Sequence, residues 1–313
     1  MIEPPSEPVT EPPAGHAPGP LIERLALIGV GLIGGSLARA LRAAGEVGEV
    51  IGCGRSAENL ELAFELGVID GCTRDPAVAV DGADMVLIAT PLGAIRGTFE
   101  RIADRLEAGT VVTDAGSVKG SVVDDAAAVF GEVPAWLVPG HPIAGTERSG
   151  VAASFPELYH NRRVILTPLP QTDATALSKV RAMWQAAGAE VAEMDVAHHD
   201  EVLAATSHLP HMLAFGLVDS LARLQDNDEI FRYAAGGFRD FTRIASSSPV
   251  MWRDICIANA EALSEMLARF GEEMADLAET IRRRDGDHLM DIFSRAKAAR
   301  DRFIDGLPPP AKR

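Results

Sequence analysis

Residues 25–38 read LALIGVGLIGGSLA, an apolar run that meets Gly29, Gly31 and Gly34 in the spacing GxGxxG and continues into helix-forming residues. A strand before and a helix after is the context in which this spacing binds a dinucleotide. The first glycine permits the tight turn, the second lets a pyrophosphate reach the backbone, and the third lets helix and strand pack closely. Phosphate charge then rests on the orphan N–H groups that open the helix. A glycine turn used only for packing is the competing reading, and the flanking strand and helix favour nucleotide binding over it.

The same cadence continues outward from this loop. Short apolar runs at 50–52, 85–90 and 110–113 alternate with helical patterns at 33–44, 58–66 and 94–106. That alternation specifies βαβ units, hence a parallel sheet with helices on both faces. Runs at 135–138, 163–167 and 190–194 are expected to extend the sheet, with a helix at 175–188. After Asp195 the strand signals stop, and apolar residues at helical spacing predict helices at 196–224, 228–235, 249–281 and 284–303. The predicted class is therefore α/β: a Rossmann-type, doubly wound, mostly parallel sheet over 21–195, followed by an all-helical unit over 196–304. Residues 1–20, rich in Pro, and 305–313 are expected to be tails. Helical stripes left apolar predict burial against a second copy of the chain, so a homodimer is expected.

With 313 residues, two domains each able to bury a core are expected. Lys+Arg 29 against Asp+Glu 45 leaves a formal charge of −16, a mean field that repels nucleic-acid phosphate and anionic membranes. No apolar run approaches the ~20 residues of a membrane span. The opening residues lack a basic n-region and an apolar h-region, so a cytoplasmic location is expected. Cys53, Cys72 and Cys256 are odd in number and far apart, and make neither a disulfide framework nor a CxxC site.

A site for NAD usually carries Asp or Glu at the end of the second strand, where it accepts from the adenosine ribose. Here that place reads Cys53-Gly54-Arg55-Ser56. Arg55 and Ser56 could instead receive a 2′-phosphate, since guanidinium matches phosphate in charge and geometry. NAD and NADP are both open, with NADP slightly favoured; the alternative is that Arg55 is a surface residue where a helix begins. Because open α/β sheets bind ligands outside the carboxyl ends of their strands, Thr90 and Pro91 join Gly29, Gly31, Leu32, Ile33, Gly34, Arg55 and Ser56 as candidate cofactor contacts.

The same rule directs attention to DAGSVKG at 114–120 and GHPIAGTERSG at 140–150, both just beyond strands. Pro142 biases His141 towards an extended conformation, and flanking glycines ease the approach of another group to the imidazole. Taken singly, His141 could be a structural histidine, Ser117 a helix cap, Arg239 and Arg243 a solvated helix face, and Trp252 packed core. His198, His199, His208 and His211 suggest zinc only weakly, since HExxH and cysteine partners are missing, and no metal is expected.

In this order and spacing, GVGLIGGSLA, DAGSVKG, GHPIAGTERSG, SHLPH and GGFRDFTRIA resemble the prephenate/arogenate dehydrogenase family of tyrosine biosynthesis, over about residues 22–303. The resemblance implies a nucleotide-binding domain, a helical dimerisation domain and active sites between them. It implies oxidative decarboxylation of prephenate to 4-hydroxyphenylpyruvate, of arogenate to tyrosine, or both, with hydride passing to NAD(P)+. By the same resemblance His141 is the catalytic base and Ser117 the serine that orients it and the substrate hydroxyl. Arg243 then binds a substrate carboxylate, His208 and Arg239 hold or gate the substrate side chain, and Glu147 contacts the basic pocket. An ACT-type or chorismate mutase module is not expected, whereas direct inhibition by tyrosine stays open. Two rivals remain: a hydroxyacid dehydrogenase or imine reductase with Lys119 as its polar catalytic group, and a cofactor-binding sensor without chemistry.

Overall fold

A computed structural model describes residues 19–146, 148–224 and 227–305. Most of the expected tails and Glu147 lie outside the described residues. The first half runs β1 (Ile22–Ile28), α1 (Leu32–Ala44), β2 (Val47–Cys53), α2 (Ala57–Glu65), β3 (Gly71–Thr73), α3 (Pro76–Ala79), β4 (Met85–Ile88), α4 (Ile95–Ile102), β5 (Val111–Asp114), α5 (Lys119–Phe130) and β6 (Leu137–Val138). These strands form one six-stranded sheet in the order β3-β2-β1-β4-β5-β6, with every pair parallel. That is the doubly wound dinucleotide-binding order, whose ligand crevice opens between β1 and β4 where the winding reverses.

Alternation along the central strands divides the core between two faces. Leu25, Leu27, Met85, Leu87 and Val111 point to one side and pack with Leu37, Leu41, Tyr159 and Trp184. Ala26, Ile28, Val86, Ile88 and Val112 point to the other and pack with Phe99, Ile102, Val122 and Leu137. Both layers are closed to water, which explains why the strands read as continuous apolar runs rather than alternating ones.

The later runs do not all extend this sheet. β7 (Gly140–Pro142), β8 (Arg163–Leu166) and β9 (Glu190–Glu193), with α6 (Ala174–Ala186) before the last, form a separate three-stranded sheet in which β7 and β8 are antiparallel. The break falls at Pro139, which has no N–H to offer a ladder. After it the chain pairs His141 with Ile165 instead of continuing beside β5. Asp114 at the end of β5 still reaches across, accepting from the Gly140 N–H at 3.1 Å.

The second half is helical: α7 (Val196–Leu203), α8 (Leu209–Ala222), α9 (Asn227–Arg232), α10 (Gly236–Thr242), α11 (Pro249–Ala258), α12 (Ala260–Arg283) and α13 (Gly286–Asp305). Two expected long helices are interrupted. The one predicted over 196–224 contains a π-helical turn at Ala204–His208. Pro210 follows at once and cannot donate to the preceding turn, so the ladder widens there. The one predicted over 249–281 breaks at Asn259, with φ −112 and ψ 37, and the Asn259 side chain turns inward. Trp252 and Ile255 of α11 join the core on the β6 side of the sheet, docking the helical half onto the nucleotide-binding half.

Candidate active site

A cleft of about 420 Å³ lies where these halves meet, within the range typical of small-molecule sites. Gly31, Leu32 and Ile33 line one end, Thr90, Pro91 and Ser117 the strand ends, and His141, Ser207, His208, Met251 and Trp252 the rest.

The glycine loop divides its labour as the fingerprint requires. A Cβ on Gly29, whose φ is +104, would stand 2.4 Å from the Ala89 carbonyl oxygen, and one on Gly34 would stand 2.5 Å from the Gly29 carbonyl. A Cβ on Gly31 would meet nothing within 4 Å, so open space lies over the N-terminus of α1. Gly31 is itself the N-cap and supplies no side-chain bond to the first-turn amides. Nearby, Thr90 Oγ1 is buried on the cleft wall without a partner among the described residues. An open cradle above a helix N-terminus and an orphaned hydroxyl beside it suit a nicotinamide dinucleotide, with the amides receiving the pyrophosphate.

At the end of β2, Cys53 is buried and its thiol is pushed up to about 11 by desolvation, so it supplies no negative charge. Arg55 is exposed. Ser56 caps α2, accepting from the Asn59 N–H at 3.2 Å and donating to Glu58 at 2.7 Å, so its hydroxyl is already committed. Asn59 in turn donates to the Val30 carbonyl at 2.7 Å and holds the glycine loop.

His141 sits on β7 with its Nδ1 2.9 Å from Nε2 of His199, and His199 Nδ1 lies 2.7 Å from Asp200 Oδ1. Burial, reinforced by His199, Lys119 and His208 around it, holds the His141 imidazole well below its ordinary pKa. A neutral ring facing a cleft can accept a proton. Ser117 lines the same cleft and is not the cap of α5. That helix begins after Val118, and its first amides are taken by Asp200, which accepts from Lys119 N and Gly120 N at 2.8 Å each. Burial opposes ionisation of Asp200, but the bonds from His199 and these amides outweigh it and hold its carboxyl below the usual range.

Lys119 itself is fully buried. Its ammonium pairs with Asp114 and donates to the Gly140 carbonyl at 2.6 Å. It ties α5, β5 and β7 together and does not line the cleft, which removes it as the catalytic group of a hydroxyacid dehydrogenase. His208 is also buried, and desolvation lowers its pKa to about 4. His211 stacks on Trp252, ring centroids 3.8 Å apart, so the tryptophan belongs at once to the core and to the cleft wall.

Arg239 and Arg243 are exposed and do not line the cleft. Arg239 lies 3.9 Å from Asp240, and Arg243 lies within electrostatic reach of His211. Among the described lining residues, the permanent positive charge is that of Arg148, which sequence reasoning quoted but did not single out. His199 enters the sequence reading as one of four histidines that suggest zinc only weakly, and Asp200 does not enter it. Their only sequence signal was adjacency in a His-His-Asp run, which spacing alone could not connect to β7.

The family model described as prephenate dehydrogenase, nucleotide-binding domain, matches residues 37–193, and that described as prephenate dehydrogenase, dimerization domain, matches 195–295. The cyclohexadienyl dehydrogenase of Zymomonas mobilis is 38% identical over 283 residues, covering 90% of this chain and 96% of that one. The crystal structure of the Aquifex aeolicus prephenate dehydrogenase in complex with hydroxyphenyl propionate and NAD+ superposes with a TM-score of 0.85 at 37% identity, covering 90% of this chain and 98% of that one. The Synechocystis arogenate dehydrogenase structure gives a TM-score of 0.75 at 28% identity, covering 90% and 99%. With family models matching both of its halves and a relative 38% identical over 90% of its length, the chain belongs to the prephenate dehydrogenase family.

Proposed function

We propose that His141 is the general base with which this NAD(P)-dependent enzyme oxidatively decarboxylates prephenate, arogenate or both in tyrosine biosynthesis. The observation that carries the role is a buried imidazole on the cleft wall, one nitrogen occupied by His199 and the ring held neutral. The bound cofactor supplies a hydride acceptor. His141 takes the proton of the ring hydroxyl as hydride leaves the same carbon. Loss of the ring carboxylate as CO2 then sends an electron pair through the ring to that oxygen, which takes the proton back. No net proton is released, so the base needs to hold a proton only transiently. Ser117, on the same wall, orients the hydroxyl and the imidazole, and positioning of this kind supplies much of the rate.

The substrate is an anion and the chain carries −16, so local cations must reverse the field at the cleft. Arg148 on the wall and Arg243, within electrostatic reach of His211, are the residues we assign to carboxylates, with His208, Arg239 and Glu147 towards the side chain. Residues 21–195 are read as the cofactor-binding unit and 196–304 as the substrate and dimerisation unit. Exposed Ile257, Met290 and Phe293 on the helices, and Tyr233 just after α9, support a homodimer. Among the described residues no helix is long and apolar enough to cross a membrane, and we assign the enzyme to the cytoplasm.

The reading is tested by following CO2 and reduced cofactor with prephenate and with arogenate. Wild-type protein is expected to turn over at least one of them. His141→Asn is expected to lower kcat by about 100-fold or more with substrate affinity little changed. Near wild-type turnover in that variant would overturn the assignment of the base.

A further inference from the structure

We propose that His199 and Asp200 are positioning residues that fix His141 in the tautomer whose Nε2 is free to accept a proton. The inference deepens the assignment of His141 as base and rests on it. A carboxylate only accepts, so the 2.7 Å contact with Asp200 Oδ1 places a hydrogen on His199 Nδ1. His199 Nε2 then accepts, and the 2.9 Å contact with His141 is an N–H donated from Nδ1 of His141. What remains on His141 is the lone pair of Nε2, which has no protein partner among the described residues. The opposite arrangement, with both nitrogens of His199 protonated, would make His141 accept at Nδ1 and carry its hydrogen on Nε2, unable to accept on the cleft side.

The groups facing His141 come from four elements. α5 contributes Lys119, the π turn contributes His208, and α7 contributes His199 and Asp200. β5 adds Asp114, which pairs with Lys119 and accepts from the Gly140 N–H next to His141, so Asp200 is the carboxylate on the His199 side. When His141 takes the substrate proton, its Nδ1–H bond to His199, backed by Asp200, offsets the charge that Lys119 opposes. Because the proton returns to the substrate oxygen, the pair has no need to carry it to solvent, and its work is orientation and charge compensation. Asp200 is held for this by the two amides of α5 and, through its own carbonyl, by Asn259 at 2.9 Å. The helical half thereby aims a base that belongs to the other half.

Two measurements on the full-length protein test the proposal. In nitrogen–proton correlation spectra of protein labelled at histidine, with His141 identified by its loss in His141→Asn, the His141 hydrogen is expected on Nδ1. A hydrogen on Nε2 overturns the proposal whether or not the enzyme acts on either substrate. His199→Leu is expected to lower kcat about 10- to 100-fold, with KM changed less than about threefold and the acid limb of the pH profile displaced. His199→Gln, which keeps an acceptor near the same place, is expected to recover part of the loss and of the limb. A His199→Leu enzyme with kcat and acid limb unchanged overturns the proposal; if that variant does not fold, the wild-type spectrum decides. Failure of the wild-type protein to use prephenate or arogenate would count against the substrate reading and leave the tautomer result standing.

Discussion

Asn259 donates through one nitrogen both to the Asp200 carbonyl at 2.9 Å and to Nδ1 of His208 at 3.1 Å. A carbonyl only accepts, so that atom is the amide nitrogen, and His208 must accept at Nδ1 and carry its hydrogen on Nε2. His208 Nε2 is buried on the cleft wall with no partner among the described residues. A donor left in that state costs stability until something accepts from it, and an acceptor on the ligand would do so.

Replacing Asn259 by Leu removes both bonds and leaves the Asp200 carbonyl and the His208 ring unanswered. The expected cost is about 1–3 kcal/mol of folding stability, with a rise in substrate KM as His208 loses its fixed tautomer. Urea unfolding and steady-state kinetics check both. An unchanged midpoint would show that the break in the helix at Asn259 serves nothing beyond geometry.

The three glycines of the loop separate binding from folding. Gly31→Val places its side chain in open space, so the unfolding temperature is expected to stay within a few degrees while cofactor affinity falls at least about tenfold. Gly29→Ala forces a residue with φ +104 against the Ala89 carbonyl, and the expected outcome there is lost stability before lost affinity. Calorimetry paired with cofactor titration distinguishes the two. Equal thermal losses in both variants would contradict the division.

The end of β2 is where we propose cofactor choice is made. Cys53 offers no charge, Ser56 is engaged as a cap, and Arg55 is left exposed beside them. Arg55→Asp is expected to depress kcat/KM for NADP about tenfold or more and to spare or improve that for NAD. A cofactor ratio that does not move removes Arg55 from the recognition of the adenosine end.

Much of the fold was legible because it is local. The glycine loop, the apolar runs of β1, β4 and β5 and the helices between them follow from period and punctuation within a dozen residues. What escaped was set by longer reach. Pro139 could be read as a break, but not that β7 would turn antiparallel to β8. The helix through 196–224 looked continuous because nothing in its apolar spacing reports the widened turn that Pro210 requires. At the site, Ser117, His141 and His208 were found from motifs and do line one cleft, whereas Arg239 and Arg243 carry the motif without lining it in a single chain. His199 was hidden because its partner on β7 is 58 residues away in sequence. Only the docking of α7 beside α5 joins them.

Burial of neutral histidines makes the enzyme sensitive to acid in a defined window. His208 titrates at about 4 when folded and near 6.5 when unfolded, and His141 is displaced in the same direction. Between those values the unfolded chain holds protons that the folded one does not, so stability rises with pH across the window. The contribution is complete above about pH 6.5 and gone below about pH 4, and for His208 alone it amounts to about 3 kcal/mol. Unfolding free energies at pH 7.5 and pH 5 should therefore differ, and His208→Gln, which does not titrate, should flatten the dependence. With His141 as the base proposed above, the acid limb of kcat/KM is expected below pH 6.5, because a depressed base stays neutral further into acid. A limb above pH 7, or a His208→Gln enzyme whose stability falls with acid as steeply as wild type, would show that these rings are charged in the folded state.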